Sequence, residues 1–173
     1  ALSAAGPHRD KLVQASSDRD EINRIVDSLP SRERDRVSEV RKSASVLHVR
    51  IQSLTVSLAD LERNMAAGGA AELEAEINRL EDQANPLDRG SEERVRRLAY
   101  LKRQRRSVKD VHDRRDAVAA KLDTCLLALK QLKLDVLRLR AGTQTHQRVT
   151  SLALEAIALA NNVDNALFVA DEV

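Results

Sequence analysis

Apolar residues recur along most of this chain at intervals that alternate between three and four. One unbroken series consists of Val37, Val40, Ala44, Leu47, Ile51, Leu54, Leu58, Leu61 and Met65. A second consists of Val108, Val111, Arg115, Val118, Leu122, Cys125, Leu129, Leu132, Val136 and Leu139. This heptad spacing places a narrow apolar stripe along a helix and favours a left-handed supercoil with a partner helix.

Helix-breaking residues divide the heptad pattern into five predicted helices. Pro30 ends the first helix, and Gly68-Gly69 interrupts the pattern after the second. A turn over Pro86–Gly90 separates the third from the fourth, and Gly142 follows the end of the fourth. The predicted helices span residues 8–29, 31–66, 70–84, 91–141 and 145–170.

The width of each apolar stripe predicts which helices meet. Residues 73–87 and 95–111 carry narrow seams, whereas residues 118–139 and the last helix carry additional apolar positions. We therefore predict an all-α fold: a long antiparallel coiled-coil hairpin of about 75 Å, with a four-helix bundle at its proximal end. We expect one helical domain over residues 1–173, with a distal hairpin over 61–114 and a bundle formed by 8–60 and 115–170.

Charged residues favour the same pairing of helices. The segment before the turn is acidic, with Glu72, Glu74, Glu76, Glu81 and Asp82. The segment after it is basic, with Arg94, Arg96, Arg97, Lys102, Arg103, Arg105, Arg106 and Lys109. Folding the chain back at the turn brings these charges together and sets the register, although each exposed pair contributes only about 0.2–1 kcal/mol.

The composition agrees with a helical rod and gives no support for a protein that binds nucleic acid through its overall charge or spans a membrane. Aromatic residues make up 1% of the chain and charged residues 32%, which suits seams filled by Leu, Val and Ala. The net charge of +2 gives no overall field for nucleic acid or membranes. No apolar run is long enough to span a bilayer. We therefore predict no membrane insertion and a cytoplasmic location.

Residues with catalytic or metal-binding chemistry are few. His112 lies among Asp110, Asp113 and Asp116, but these carboxylates point in different directions around a helix, so a solvated surface is favoured over a cation site. Cys125 occupies a heptad core position, where a buried thiol is inert. We predict no catalytic residue, no metal site and no cofactor.

Arginines provide two further candidates for a binding role. The basic segment over residues 94–109 is a candidate for binding phosphate, but it lacks interleaved aromatic residues apart from Tyr100. A solvated coil is therefore favoured over a nucleic-acid interface. Arg115 occupies an apolar heptad position. It can bind an acid across the seam or extend outward into solvent, and the outward orientation is slightly favoured.

Two regions are candidates for function as a hinge or as a partner contact. Gly68 and Gly69 form either a hinge or a simple local break, and the sequence does not decide between them. The residues nearest the turn are predicted to contact a protein partner, since apolar and aromatic side chains at an exposed tip are typical of binding hot spots. These residues are Leu87, Asp88, Arg89, Arg94, Arg97 and Tyr100.

The segments Leu132–Gly142, Val149–Ala156 and Asn162–Leu167 together resemble the helical C-terminal region of bacterial serine/threonine protein kinases. The resemblance covers roughly the last 40 residues and implies a regulatory or oligomerising appendage. The Gly-rich loop and the HRD and DFG motifs of the kinase fold do not occur in the chain. The Arg-, Ala- and Val-rich composition suits a high-GC bacterium, and residues 1–6 suggest a linker within a larger protein.

These observations predict a non-enzymatic coiled-coil module for interaction or spacing. Its expected partners are proteins, including a second copy of the chain as a homodimer. One alternative is a binder of nucleic acid or another anionic surface through the Arg-rich segment 94–109. Another is a helical signal relay attached to a catalytic domain.

Overall fold

Helices make up nearly all of the part of the chain that the structure describes. The computed structural model describes residues 3–83 and 91–168, and no strand occurs in these ranges. The predicted all-α class is therefore confirmed. After a 3-10 turn over Gly6–His8, the helices are α1 (Arg9–Ser28), α2 (Ser31–Arg36), α3 (Ser38–Ala67), α4 (Ala70–Gln83), α5 (Ser91–Arg140) and α6 (His146–Phe168).

Local sequence signals explain most of the helix ends. Leu29, which precedes Pro30, has extended backbone angles and closes α1. Gly142 has a φ of +78° just beyond α5, a left-handed conformation that glycine adopts without strain. The Thr143 N–H donates to the Arg138 carbonyl at 2.9 Å, as expected for this kind of helix end.

The predicted helix over residues 31–66 is divided in two at Val37, so this prediction is wrong at that point. Val37 has φ −118° and ψ 24°, and its side chain is fully buried. The Thr150 hydroxyl of α6 donates to the Arg36 carbonyl at 3.1 Å. A long-range contact thus satisfies a carbonyl at the break, and heptad spacing gives no sign of such a contact.

The chain divides into two compact units, which are described separately. Unit 1 combines residues 1–59 with residues 118–173, and unit 2 comprises residues 60–117. Helices α1, α2 and α6 belong to unit 1, whereas α4 belongs to unit 2. Helices α3 and α5 contribute residues to both units.

Unit 1 has an extensive apolar core that follows the heptad pattern of α3 and α5. In α5 the buried heptad residues are Val118, Leu122, Cys125, Leu129, Leu132, Val136 and Leu139. In α6 the spacing of three and four assigns Val149, Leu152, Ala156 and Leu159 to the apolar stripe. The helix departs from this pattern, because Ala153 and Ala160 are buried while Leu152 and Leu159 are half-buried. The Ser43 hydroxyl of α3 donates to the Ala153 carbonyl at 2.9 Å, which fixes α6 close to α3.

Of the polar contacts that join α1 to other helices of unit 1, two involve part-buried side chains. Lys133 Nζ on α5 donates to Asp18 Oδ1 on α1 at 2.6 Å, and Asp18 is 4% exposed. This hydrogen bond raises the pKa of Lys133. A part-buried ion pair of this kind favours one register, because separating its members leaves the buried charge of Asp18 without compensation.

His48 on α3 is the centre of the second contact, which involves two residues of α1. Ser16 Oγ lies 2.9 Å from His48 Nε2, and Arg19 Nη1 lies 3.2 Å from Nδ1. Because arginine can only donate, Nδ1 accepts, so the ring is neutral with its proton on Nε2. Burial lowers the pKa of His48, and the charge of Arg19 lowers it further.

Unit 2 has a small apolar core and several ion pairs. Among its described residues, the buried apolar side chains are Ile77 and Leu80. Three ion pairs join α4 to α5: Glu76 to Arg97 at 3.1 Å, Glu81 to Lys102 at 2.8 Å and Glu74 to Arg105 at 3.7 Å. These pairs confirm that the acidic segment before the turn faces the basic segment after it.

Candidate partner-binding site

The residues predicted to contact a partner have different surroundings. Leu87, Asp88 and Arg89 lie outside the described residues. Arg94 Nη1 donates to the Gln83 carbonyl at the end of α4, at 3.2 Å, and Arg97 pairs with Glu76. Both arginines therefore contact α4 within unit 2 while their side chains stay largely exposed.

The Gly68-Gly69 pair interrupts the helix. Helix α3 ends at Ala67 and α4 begins at Ala70. Gly69 has a φ of +58°, and its carbonyl accepts the N–H of Leu73 at 3.0 Å, the first hydrogen bond of α4. The local break is thus present, and the role as a hinge stays a prediction.

A groove of about 720 Å³ in unit 2 brings this break together with Tyr100. The break contributes Gly68 and Gly69, and Leu73 of α4 and Val108 of α5 form part of the apolar wall. We call this feature the Tyr100 groove. The sequence predicts both the break and Tyr100 as candidates but does not predict that they share one groove, because it fixes neither the turn nor the exact register.

Tyr100 is exposed in this groove, with an arginine over its ring. Its side chain is 60% exposed, and Cζ of Arg103 lies 5.7 Å from the ring centroid, within the range of a cation–π contact. Arg103 also lines the groove. Glu72, Gln104 and Ser107 also line the groove, so its lining is of mixed polarity. An exposed tyrosine beside an arginine combines the residue types that dominate binding energy at protein interfaces.

Carboxylates of α4 neutralise part of the basic segment. The hydrogen bond from Arg79 lowers the pKa of Glu76, and the hydrogen bond from Lys102 lowers that of Glu81. Both acids therefore stay charged well below neutral pH. Arg96 and Arg106 form no ion pair with any other residue in the described ranges, so positive charge is left at these two positions.

Arg115 binds acids within unit 2, so the prediction that it extends into solvent is wrong. Its Nη2 lies 3.0 Å from Glu62 Oε1 on α3, and its Nη1 lies 2.9 Å from Asp116 Oδ1. Hydrogen bonds to Asp116 and then Glu62 raise its pKa. Because Glu62 is on a different helix, heptad spacing alone does not identify it as the partner.

The remaining candidates do not form a reactive site in the described residues. His112 is exposed, and Asp113 beside it accepts a hydrogen bond from Lys109 at 2.6 Å. No group of three or more His, Cys, Asp or Glu residues able to hold a metal ion occurs among the side chains that the structure describes. Cys125 is buried, and burial raises the pKa of its thiol, which confirms the prediction of a core cysteine.

No protein-family model, curated protein or solved structure matches this chain. The resemblance of residues 132–167 to kinase C-terminal regions therefore stays a prediction. In the described part of the chain, none of the helices combines the length and the apolar character needed to cross a membrane.

Proposed function

We propose that this chain is a non-enzymatic module of a larger, cytoplasmic bacterial protein that binds a protein partner through the Tyr100 groove and acts as a spacer. In this proposal α4 and the first half of α5 form an antiparallel coiled-coil hairpin. Helices α1, α3, α5 and α6 form a four-helix bundle.

The order of the contacts in unit 2 supports the hairpin. Gln83, at the end of α4, contacts Arg94 near the start of α5, whereas Glu74 pairs with the later Arg105. From the contact nearest the turn to the one farthest from it, the chain positions thus diverge as they do in antiparallel neighbours, and the long side chains of Glu76, Glu81, Arg97 and Lys102 reach across this register. The uninterrupted 50 residues of α5 suit a spacer, since a helix rises about 1.5 Å per residue.

Contacts between four helices support the bundle. Helix α1 is tied to α5 through Asp18 and Lys133, and to α3 through Ser16 and His48. Helix α3 is tied to α6 through the hydrogen bond from Ser43. The proposed bundle thus places α1 and α6 on the residues of α3 and α5 that carry the buried heptads.

The exposed Tyr100 in its groove is the observation that carries the binding role. A large ring that is 60% exposed in a chain with 1% aromatic residues has no part in filling the core. Burying such a ring on binding removes its apolar surface from water, while Arg103 provides a charge-assisted hydrogen bond. We therefore expect the partner to present an acidic side chain next to an apolar one.

Site-specific photo-cross-linking in the source cells tests this role directly. A benzophenone amino acid at position 100 should yield one defined adduct with another protein. The matched control carries the same amino acid at position 49, where Val49 of unit 1 is 65% exposed, and should yield no such adduct. The proposal fails if position 100 gives no adduct, or if both positions give the same set.

Sedimentation velocity determines whether the partner is a second copy. Self-association at the groove predicts a concentration-dependent dimer that weakens at least tenfold when Tyr100→Ala is introduced. A monomer at all concentrations assigns the cross-linked adduct to a different protein. A dimer that Tyr100→Ala leaves unchanged places self-association elsewhere on the chain.

A binder of nucleic acid or another anionic surface is the second candidate, and it is favoured by Arg96 and Arg106, which pair with no acid among the described residues. It predicts that an oligonucleotide is retained in a gel shift at low salt and released as salt rises. Arg96→Gln with Arg106→Gln should weaken that binding. No retention at low salt would reject this candidate without affecting the photo-cross-linking result.

A further inference from the structure

Asp135 on α5 is a buried acid with an unsatisfied oxygen. It is 1% exposed, and its Oδ1 accepts a hydrogen bond from Gln131 Nε2 at 3.1 Å. Its Oδ2 has no hydrogen-bond partner among the described residues. Burying a carboxylate oxygen without a donor is unfavourable, so core packing gives no reason for an acid at this position.

Asp135 lines a pocket of about 330 Å³ between α5 and α6 in unit 1. Leu132 and the half-buried Leu152 and Leu159 provide apolar walls, and Glu155 of α6 adds a second carboxylate. Glu155 forms no ion pair with another residue in the described ranges. The pocket therefore has two acidic groups and an apolar lining, without a lysine or arginine among its lining residues.

This arrangement also accounts for the irregular seam of α6. The heptad pattern assigns Leu152 and Leu159 to the seam, but the small residues Ala153 and Ala160 are buried in unit 1. The two leucines line the pocket instead. Helix α6 is thus rotated so that two large apolar side chains lie beside Asp135.

We propose that this pocket binds an organic cation, specifically a guanidinium or alkylammonium group on a short apolar stem. The cationic head donates hydrogen bonds to Asp135 and Glu155, and a guanidinium group suits carboxylates because its N–H groups form a rigid fork. The stem lies against the three leucines. The volume is at the lower end of the range for small-molecule sites, which suits one short chain.

A bare metal ion fits this pocket less well than an organic cation. Hard cations such as Ca²⁺ need six or more oxygen ligands, and most of the lining here is apolar. No cluster of three potential ligands occurs in the part of the chain described. An ammonium or guanidinium ion needs only two or three acceptors and gains from apolar contact along its stem.

Titration of the ¹⁵N-labelled chain with n-butylguanidinium, followed by NMR, tests the proposal. We expect saturable shifts of amides near residues 128–135 and 152–159, with a dissociation constant on the order of millimolar, as suits so small a probe. The neutral isostere n-butylurea should bind at least tenfold more weakly. Equal binding of the two compounds, or no saturable shift, would overturn the proposal.

Two variants and a matched control connect binding to the carboxylates. Asp135→Asn should weaken butylguanidinium at least tenfold without lowering the thermal midpoint, because it removes a buried, partly unsatisfied charge. Glu155→Gln, at an exposed position, should weaken it about threefold, and Glu39→Gln of α3 should leave it unchanged. If Asp135→Asn does not fold, Glu155→Gln decides the matter: unchanged affinity there contradicts the site.

A final comparison distinguishes the source of the cation. N-acetyl-arginine amide carries the same head group on a peptide, so binding as tight as that of butylguanidinium indicates an arginine side chain of a partner protein. Binding of the free cation alone indicates a small metabolite; both results support the pocket. The pocket lies in unit 1 and the Tyr100 groove in unit 2, so failure of one proposal leaves the other standing.

Discussion

Units 1 and 2 are built from the same heptad pattern but are stabilised differently. Unit 1 buries long apolar series in α1, α3, α5 and α6, whereas the described part of unit 2 buries only Ile77 and Leu80 among its apolar residues. The contacts between α4 and α5 include ion pairs between half-exposed side chains. An apolar core contributes roughly 25 cal/mol per Å² buried, whereas exposed pairs contribute little.

This difference shows that heptad spacing predicts which face of a helix is apolar but does not determine how completely that face is buried. Apolar side chains at heptad positions become fully buried only where other helices cover both sides of the seam. In unit 2 the heptad residues Leu61, Val108 and Val111 are only half-buried. We therefore expect unit 2 to open at a lower free energy than unit 1.

The largest expected effect comes from the core of unit 1. Leu122→Ala removes a fully buried side chain of α5 and should lower the free energy of unfolding by about 3 kcal/mol. Leu127→Ala, five residues later and 68% exposed in the parent chain, should change it by less than about 0.5 kcal/mol. Urea denaturation measures both, and equal losses would contradict a core on one face of α5.

A smaller effect is expected from the core of unit 2. Ile77→Ala should destabilise unit 2 by about 2–3 kcal/mol and speed amide exchange in α4 and the facing part of α5. Amides of α1 should keep their protection. Val95→Ala, at a position 55% exposed in the parent chain, is the matched control. Equally faster exchange in both units would show that they unfold as one.

The helix break should respond to substitution at one glycine more than at the other. Gly69→Ala forces a φ of +58° on a residue with a side chain, which costs about 1–2 kcal/mol. Gly68→Ala should be nearly neutral, since its Cβ would lie 3.4 Å from the Met65 carbonyl oxygen, an ordinary contact. Thermal unfolding compares the two, and equal effects would show that the left-handed conformation is not required.

Salt should affect unit 2 more than unit 1. Raising ionic strength from 0.01 M to 1 M shortens the screening length from about 30 Å to about 3 Å, which weakens exposed pairs such as Glu81 with Lys102. Exchange of α4 amides should become modestly faster, while α1 amides should change little. Glu81→Gln should reduce this salt response, and an unchanged response would mean that the pair does not stabilise unit 2.

The smallest effect is a pH dependence in unit 1. Because the folded-state pKa of His48 lies below its ordinary value, the unfolded chain binds more protons as pH falls through about 6.5. Stability should therefore decrease from pH 7 to pH 5. His48→Gln keeps a donor and an acceptor without titrating, so its urea midpoint should fall less over this window. If the urea midpoints of the parent chain and the variant fell equally with pH, His48 would not be the source of the pH dependence.

The sequence predicts those features of the fold that depend on nearby residues. The ends of α1 and α5 follow from Pro30 and Gly142, and the break before α4 follows from Gly68-Gly69. The break at Val37 could not be predicted, because the carbonyl of Arg36 beside it accepts a hydrogen bond from Thr150, more than 100 residues away. The rotation of α6 toward Ala153 and Ala160 also depends on packing between helices.

Individual residues of the candidate site could be predicted from the sequence, but the way in which they come together could not. Tyr100 and the glycine pair are recognisable from residue type, yet the groove that they share depends on the pairing register of α4 and α5. Arg115 is recognisable as a polar residue in an apolar series, whereas its partner Glu62 is not. Nor does the pattern reveal Asp135 as buried, because the residue lies next to the predicted seam.

Tyr100 has a consequence for spectroscopy. It is the chain's single tyrosine, and there is no tryptophan, so near-ultraviolet absorbance and intrinsic emission come almost entirely from one ring in unit 2. A molecule entering the groove would change that emission without any added label. Melting of the unit 1 core would leave it almost unchanged, so the protein carries a built-in optical reporter for one of its two units.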